Sequence, residues 1–139
     1  MSNETVTPSA GTLSLDDQVS AALARGHVID ITTIGRRTSQ PRRIEIVFHN
    51  IDGRLYITGT PRPETRAWIL NLQADPRLTV HLKGSVRADL PATARIVTDE
   101  PERRAIFEWV VAHAWHQQDV DLMTRESPLI EVTLVRAAA

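Results

Sequence analysis

The stretch "RIEIVFHNIDGRLYITGT" constrains the fold of this chain more than any other. Ile44, Ile46 and Phe48 alternate with Glu45, Val47 and His49, the period of a strand with one face on a core. Asp52-Gly53 follows, a pair suited to the positive φ angles of a two-residue hairpin turn. Beyond it Leu55 and Ile57 alternate with Tyr56 and Thr58. Turn chemistry and alternation agree, so two antiparallel strands are expected here. Ile44, Ile46, Phe48, Leu55 and Ile57 should face one interior, together with Val80 and Leu82 of a later strand.

The remaining elements extend this pattern. "LSLDDQVSAALARG" places Leu15, Val19, Ala22 and Leu23 at helical spacing with Gly26 as a stop. "HVIDITTIG" is a β-branched strand bounded by Gly35. "PETRAWILNLQADP" predicts a helix with Pro63 in its first turn and Pro76 as terminator, followed by the strands "RLTVHLKG" and "VRADLPATARIV", the latter bent at Pro91. "TDEPERRAIFEWVVAHAWHQQ" predicts a long helix reaching Gln117, with Ile106, Val110 and Ala114 toward the core and Trp109, His113 and His116 sharing another face. "PLIEVTLV" closes the chain as a strand. The order α-β-β-β-α-β-β-α-β suits an antiparallel sheet or barrel with helices packed outside better than a doubly wound parallel sheet.

A chain of 139 residues can bury one core without staples, so residues 13–139 are expected to form a single domain, with residues 1–12 as a flexible arm rich in turn formers. The amino terminus lacks the basic and apolar regions of a signal peptide, and no apolar run approaches the ~20 residues of a membrane span, which points to the cytoplasm. With no cysteine, thiolate metal sites and thiol redox chemistry are excluded, so any redox role needs a bound cofactor. A net charge of −1 argues against a general nucleic-acid binder.

Against that balance, "TTIGRRTSQPRR" concentrates Arg36, Arg37, Arg42 and Arg43 in one stretch of turn formers between two strands. Such a segment is either a solvated loop with its cations spread apart, or a cradle whose guanidinium forks and backbone N–H groups hold carboxylate or phosphate. The histidines offer no metal centre: His113 and His116 stand three apart without a third ligand. Trp68, Trp109 and Trp115 read more readily as packing residues than as stackers. No Ser-His-Asp order or Gly-rich phosphate loop is evident.

Taken in order, "TTIGRRTSQPRR", "IVFHNIDGRLYITG" and "AWILNLQADPRLTVHLKG" resemble the deazaflavin-dependent nitroreductase and quinone reductase family. These are small split β-barrels, mainly β with α, related to the FMN-binding and pyridoxamine-phosphate-oxidase proteins. The resemblance implies the 8-hydroxy-5-deazaflavin coenzyme F-420, an electron-poor small-molecule acceptor such as a quinone, nitro compound or activated alkene, and no nucleic-acid partner; a homodimer is compatible with it. By position it assigns Arg36, Arg37 and Arg42 to the coenzyme's phosphate and anionic tail, with Thr38, Ser39, Gln40 and Pro41 shaping the loop and Arg43 turned away. Thr58, Gly59 and Thr60 match the region that meets the deazaflavin ring, and Asn71 lies toward the cofactor. Family members place tyrosines around the substrate near the carboxyl terminus. This chain has Tyr56 alone, leaving Trp115 and His116 as the residues expected at the acceptor. An FMN enzyme of the same barrel, or a non-catalytic carrier of a cofactor, haem, tetrapyrrole or lipid, is the alternative.

Overall fold

The fold was obtained as a computed structural model, which describes residues 15–135. The amino-terminal arm expected over residues 1–12 lies outside the described residues. Helix α1 (Leu15–Arg25) leads into β1 (His27–Ile34), β2 (Pro41–Ile51) and β3 (Arg54–Thr58). Next come α2 (Ala67–Ala74), β4 (Arg77–Leu82), β5 (Ala88–Ile96), α3 (Glu100–His113), α4 (Val120–Glu126) and β6 (Leu129–Leu134). All six strands pair antiparallel and close into a barrel in the order β1-β2-β3-β6-β5-β4. No helix of the described residues is long and apolar enough to cross a membrane.

The hairpin between β2 and β3 turns where expected. Asp52 and Gly53 both take positive φ (52° and 88°), the pair of values a tight hairpin needs, and the Gly53 N–H donates to Asn50 Oδ1 at 2.8 Å. Phe48, Leu55, Ile57, Val80 and Leu82 are buried in the barrel interior with Ile29 and Ile31, and Ile44 and Ile46 pack against the same cluster. Strand β3 is buried on both faces, because Tyr56 on its outer side is covered by α3 and α4 in a second cluster with Val97, Ile106, Phe107, Val110, Met123 and Leu129. Strand β5 runs through Pro91 in register with β4; the Pro91 carbonyl accepts from Val135 N, so its missing donor falls where the ladder with β6 ends.

Three expectations need correction. Helix α2 starts at Ala67, so Pro63 lies before it, in an approach segment whose last residue, Arg66, is still extended (φ −70°, ψ 150°). Helix α3 stops at His113 rather than Gln117: Ala114 leaves helical geometry and is exposed, and both Ala114 N–H and Trp115 N–H converge on Val110 O. The chain can then turn into α4, a helix the apolar pattern alone does not predict, capped by Asp119, whose Oδ2 accepts from Leu122 N at 2.8 Å. Trp109 and His113 do share a face, stacked at 4.4 Å, but His116 lies beyond the helix end.

Candidate functional site

The arginine stretch forms the connection between β1 and β2, and its shape is fixed by short local bonds. Gly35 N–H donates to Gln40 O (2.8 Å), Ser39 N–H to Gly35 O (2.9 Å) and Gln40 N–H to Thr38 Oγ1 (3.2 Å), while Ser39 takes a positive φ of 58°. A Cβ on Gly35 would meet Thr38 Oγ1 at 2.9 Å, so only glycine lets the threonine fold back over the turn. From α2, Asn71 reaches under the loop. Its Oδ1 accepts from Arg36 N at 3.1 Å and its Nδ2 donates to Thr33 Oγ1 at 3.1 Å; at 6% exposure this amide is a buried brace between loop, helix and barrel.

Above the brace lies a cleft of about 440 Å³, lined by Thr33, Gly35, Arg36, Arg37, Thr38, Arg42, Ile44, Ala67, Trp68 and Asn71. Arg36, Arg37 and Arg42 form no ion pair among the described residues. Arg43 does: its Nε donates to Asp30 Oδ2 at 2.9 Å, on the barrel's outer face, where Lys83 Nζ also donates to Asp30 (2.7 Å) and bonds Glu45. Lys83, then Arg43, holds the Asp30 carboxyl below its ordinary range. Three of the four arginines therefore converge, and the fourth turns away. Ser39, Gln40 and Pro41 stand exposed on the loop and do not line the cleft.

Thr58, Gly59 and Thr60 are not brought to this cleft. Thr58 is buried, its hydroxyl donating to Pro128 O, and the Arg66 guanidinium lies over the two residues that follow: Nη2 donates to Thr60 O at 2.6 Å, and a Cβ on Gly59 would stand 3.1 Å from the guanidinium carbon. This corner borders a second cleft, of about 340 Å³, whose wall includes Arg62, Arg66, Arg103, Arg125, Glu64, Glu126 and Ser127. The first turn of α2 separates the two: Ala67, Trp68 and Asn71 face the first cleft, while Arg66, Ile69 and Gln73 face the second.

Arg103 spends its guanidinium on backbone. It donates to Thr124 O (2.9 Å), Val97 O (3.0 Å), Met123 O (3.3 Å) and Ser127 O (2.6 Å), which ties the end of β5 to the carboxyl end of α4 and satisfies carbonyls the helix leaves open. Burial pulls the Arg103 guanidinium below its ordinary pKa; at Arg66 burial does the same, with Arg62 adding repulsion. Sequence reading missed these four arginines, because they are scattered over 62–125 and nothing local in "TPRPETR" or "ERRA" announces that they meet.

Trp115 and His116 line neither cleft. Trp115 packs edge-on against His49 (5.4 Å, 74°), which also meets Trp109 (6.4 Å, 72°). His49 is 5% exposed, its Nε2 has no hydrogen-bond partner, and burial lowers its pKa, so it sits neutral between two indoles. On the outer barrel face, Thr32 Oγ1, His81 and Asp89 form a chain (Oγ1 to Nε2 2.6 Å, Nδ1 to Oδ1 2.7 Å) that belongs to neither cleft. No group of three His, Cys, Asp or Glu among the described residues could hold a metal ion.

Among solved structures, a conserved hypothetical protein from Mycobacterium tuberculosis matches with a TM-score of 0.69 at 17% identity, over 94% of this chain and 87% of that one. A Listeria innocua protein named as a candidate pyridoxamine 5′-phosphate oxidase matches at 0.64 and 16% identity, over 88% and 95%. An FAD-binding protein from Mesorhizobium loti matches at 0.63 and 16% identity, over 89% and 91%. At these identities the likeness shows the split β-barrel of the pyridoxamine-phosphate-oxidase type. Family assignment comes from the sequence itself: residues 12–134 match the model of the F420H(2)-dependent quinone reductases, so the chain belongs to that family.

Proposed function

We propose that this protein is a reductase that passes hydride from reduced coenzyme F-420 to an electron-poor acceptor: a quinone, a nitro compound or an activated alkene. Family membership supports a deazaflavin-dependent reductase in the broad sense. The observation that carries the cofactor reading is the first cleft, where Arg36, Arg37 and Arg42 form no ion pair with a carboxylate among the described residues and stand beside the apolar wall of Ile44 and Trp68. Unpaired guanidinium groups next to an apolar wall fit the phosphate and anionic tail of such a coenzyme. When bound, the reduced coenzyme supplies the hydride, and the protein supplies binding and orientation.

In this scheme Arg36, Arg37 and Arg42 bind the phosphate and tail. Thr38, Ser39, Gln40 and Pro41 set the loop's shape. Asn71 acts through the loop, holding Arg36 in place from below, and Ile44 and Trp68 exclude water. Thr58, Gly59 and Thr60 offer backbone polar groups to the ring from the far side of the first turn of α2. No side chain is needed as nucleophile.

Equilibrium titration with oxidised F-420 and, in parallel, with FMN tests the reading. F-420 should bind at least about tenfold tighter, since a single phosphate engages fewer of the three arginines. Equal or tighter FMN binding would instead favour a flavin enzyme of the same barrel. Absence of turnover with F-420 bound and a panel of quinone and nitro acceptors would favour a carrier.

A further inference from the structure

The second cleft carries more positive charge than its own structure uses. Four arginines line it against two glutamates, and among the described residues none of the four forms an ion pair. Arg103 and Arg66 are held rigidly by backbone carbonyls, so their charges are fixed in the wall without being neutralised. Arg62 and Arg125 are exposed at the same cleft; Arg62 N donates to Glu126 O at 3.4 Å, but among the described residues neither guanidinium makes a hydrogen bond. Ser127, 4% exposed, adds a buried hydroxyl without a partner to the same wall. Placing four cations together against two carboxylates, with no ion pair formed, raises the energy of the empty protein, and an anion entering the cleft would lower it.

We propose that this cleft binds the acceptor, and that the acceptor is an anion: a small aromatic or quinonoid molecule bearing a carboxylate or a group of like charge. The inference rests on the reductase reading given above. Position favours the acceptor over the coenzyme tail, because the arginines that suit the tail lie across the first turn of α2. The wall of this cleft instead includes Arg66, whose guanidinium donates to Thr60 O and lies over Gly59, two of the residues assigned to the ring. Arg62 and Arg125 grip the anion, Arg66 and Arg103 supply a fixed field, and Ile69 and Leu129 meet its apolar body. The same wall discriminates against neutral lipophilic quinones, which would leave these cations desolvated and unpaired.

The test compares 1,4-naphthoquinone-2-sulfonate with uncharged 1,4-naphthoquinone. Equilibrium dialysis without coenzyme should show the sulfonate binding the wild-type protein about tenfold or more tightly than the neutral quinone, as expected for a charge-assisted contact. Arg62→Gln and Arg125→Gln should each remove most of that preference and leave the dissociation constant of F-420 unchanged. Arg87→Gln, exposed and outside both clefts, should keep the preference. Equal binding of the two quinones to the wild type would overturn the proposal, and so would a loss of F-420 affinity in the two cleft variants, which would give the cleft to the coenzyme tail. Because dialysis needs no coenzyme, failure of F-420 to bind would sink the reductase reading alone and leave the anion result standing.

Discussion

The two clefts share one helix turn and both are built on arginine, yet they are made in opposite ways. In the first, Arg36, Arg37 and Arg42 come from one tight loop clamped from below by a single buried amide. In the second, Arg62, Arg66, Arg103 and Arg125 come from the approach to α2, from α3 and from α4, and they meet only because the barrel and its outer helices are in place. The first is local chemistry that needs a fold to rest on. The second is the fold itself arranged as a charge distribution. Mutations should therefore separate them: damage to the first should appear in ligand affinity, and damage to the second in stability as well.

The largest expected effect falls on the second. Arg103→Met keeps a long apolar stem but takes the guanidinium away from the carbonyls of Val97, Thr124 and Ser127, while Met123 O keeps the Ser127 N–H, and should destabilise the protein by about 2–4 kcal/mol in urea or thermal unfolding. An unfolding midpoint equal to wild type would mean that water replaces the guanidinium without loss. Next in size, Arg36→Ala or Arg42→Ala should weaken F-420 binding by about 1.5–3 kcal/mol with the melting temperature unmoved. Unchanged affinity in both variants would return the loop to solvent.

A smaller change should sharpen the border between the clefts. Gly59→Ala places a methyl group 3.1 Å from the Arg66 guanidinium, a flexible end that can move, so stability should fall by no more than about 1 kcal/mol. Naphthoquinone sulfonate binding should weaken a few-fold as the Arg66 guanidinium is displaced; unchanged binding would leave Arg66 outside the field that holds the anion.

The mildest effect lies outside both. His49 is buried neutral and its folded-state pKa is depressed, so the unfolded chain takes up the proton more readily. Its contribution is complete above about pH 6.5 and is lost as the pH falls below that value. Urea unfolding from pH 7.5 to 5.5 should show this decline, and a His49→Phe variant should show less of it; equal slopes would assign the decline to other groups.

What the sequence discloses follows the range of the forces involved. Period-two alternation and an Asp-Gly pair are local, so the β2–β3 hairpin and the inward set Phe48, Leu55, Ile57, Val80 and Leu82 could be read directly. The run of Arg36, Arg37 and Arg42 within one turn is local too, but the run alone fits a solvated loop with its cations spread as well as a cradle, and only the folded loop puts all three in the wall of one cleft. The sequence predicts too long an α3 because "AHAWHQQ" contains no strong breaker; only the geometry at Ala114 ends it. Asp119 carried a capping signal for α4, but seven residues give too little apolar period to show beside it. The partners of Asn71 lie 35 and 38 residues away, and the backbone role of Arg103 and the whole second cleft depend on several elements at once. No window of sequence holds them.

One feature of β2 bears on how copies of this chain meet. Residues 47–51 pair with β3 on one side and residues 41–48 with β1 on the other, so, among the described residues, 41–46 have a neighbouring strand on one side alone. An unshared strand edge invites another chain to add itself there and, repeated, to aggregate. Pro41 removes a donor at its start, while Arg42, Arg43 and Glu45 place charge where an incoming strand would have to lie. The residues that would receive the coenzyme's anionic tail thus also keep the open margin of the barrel from sticking to its neighbours.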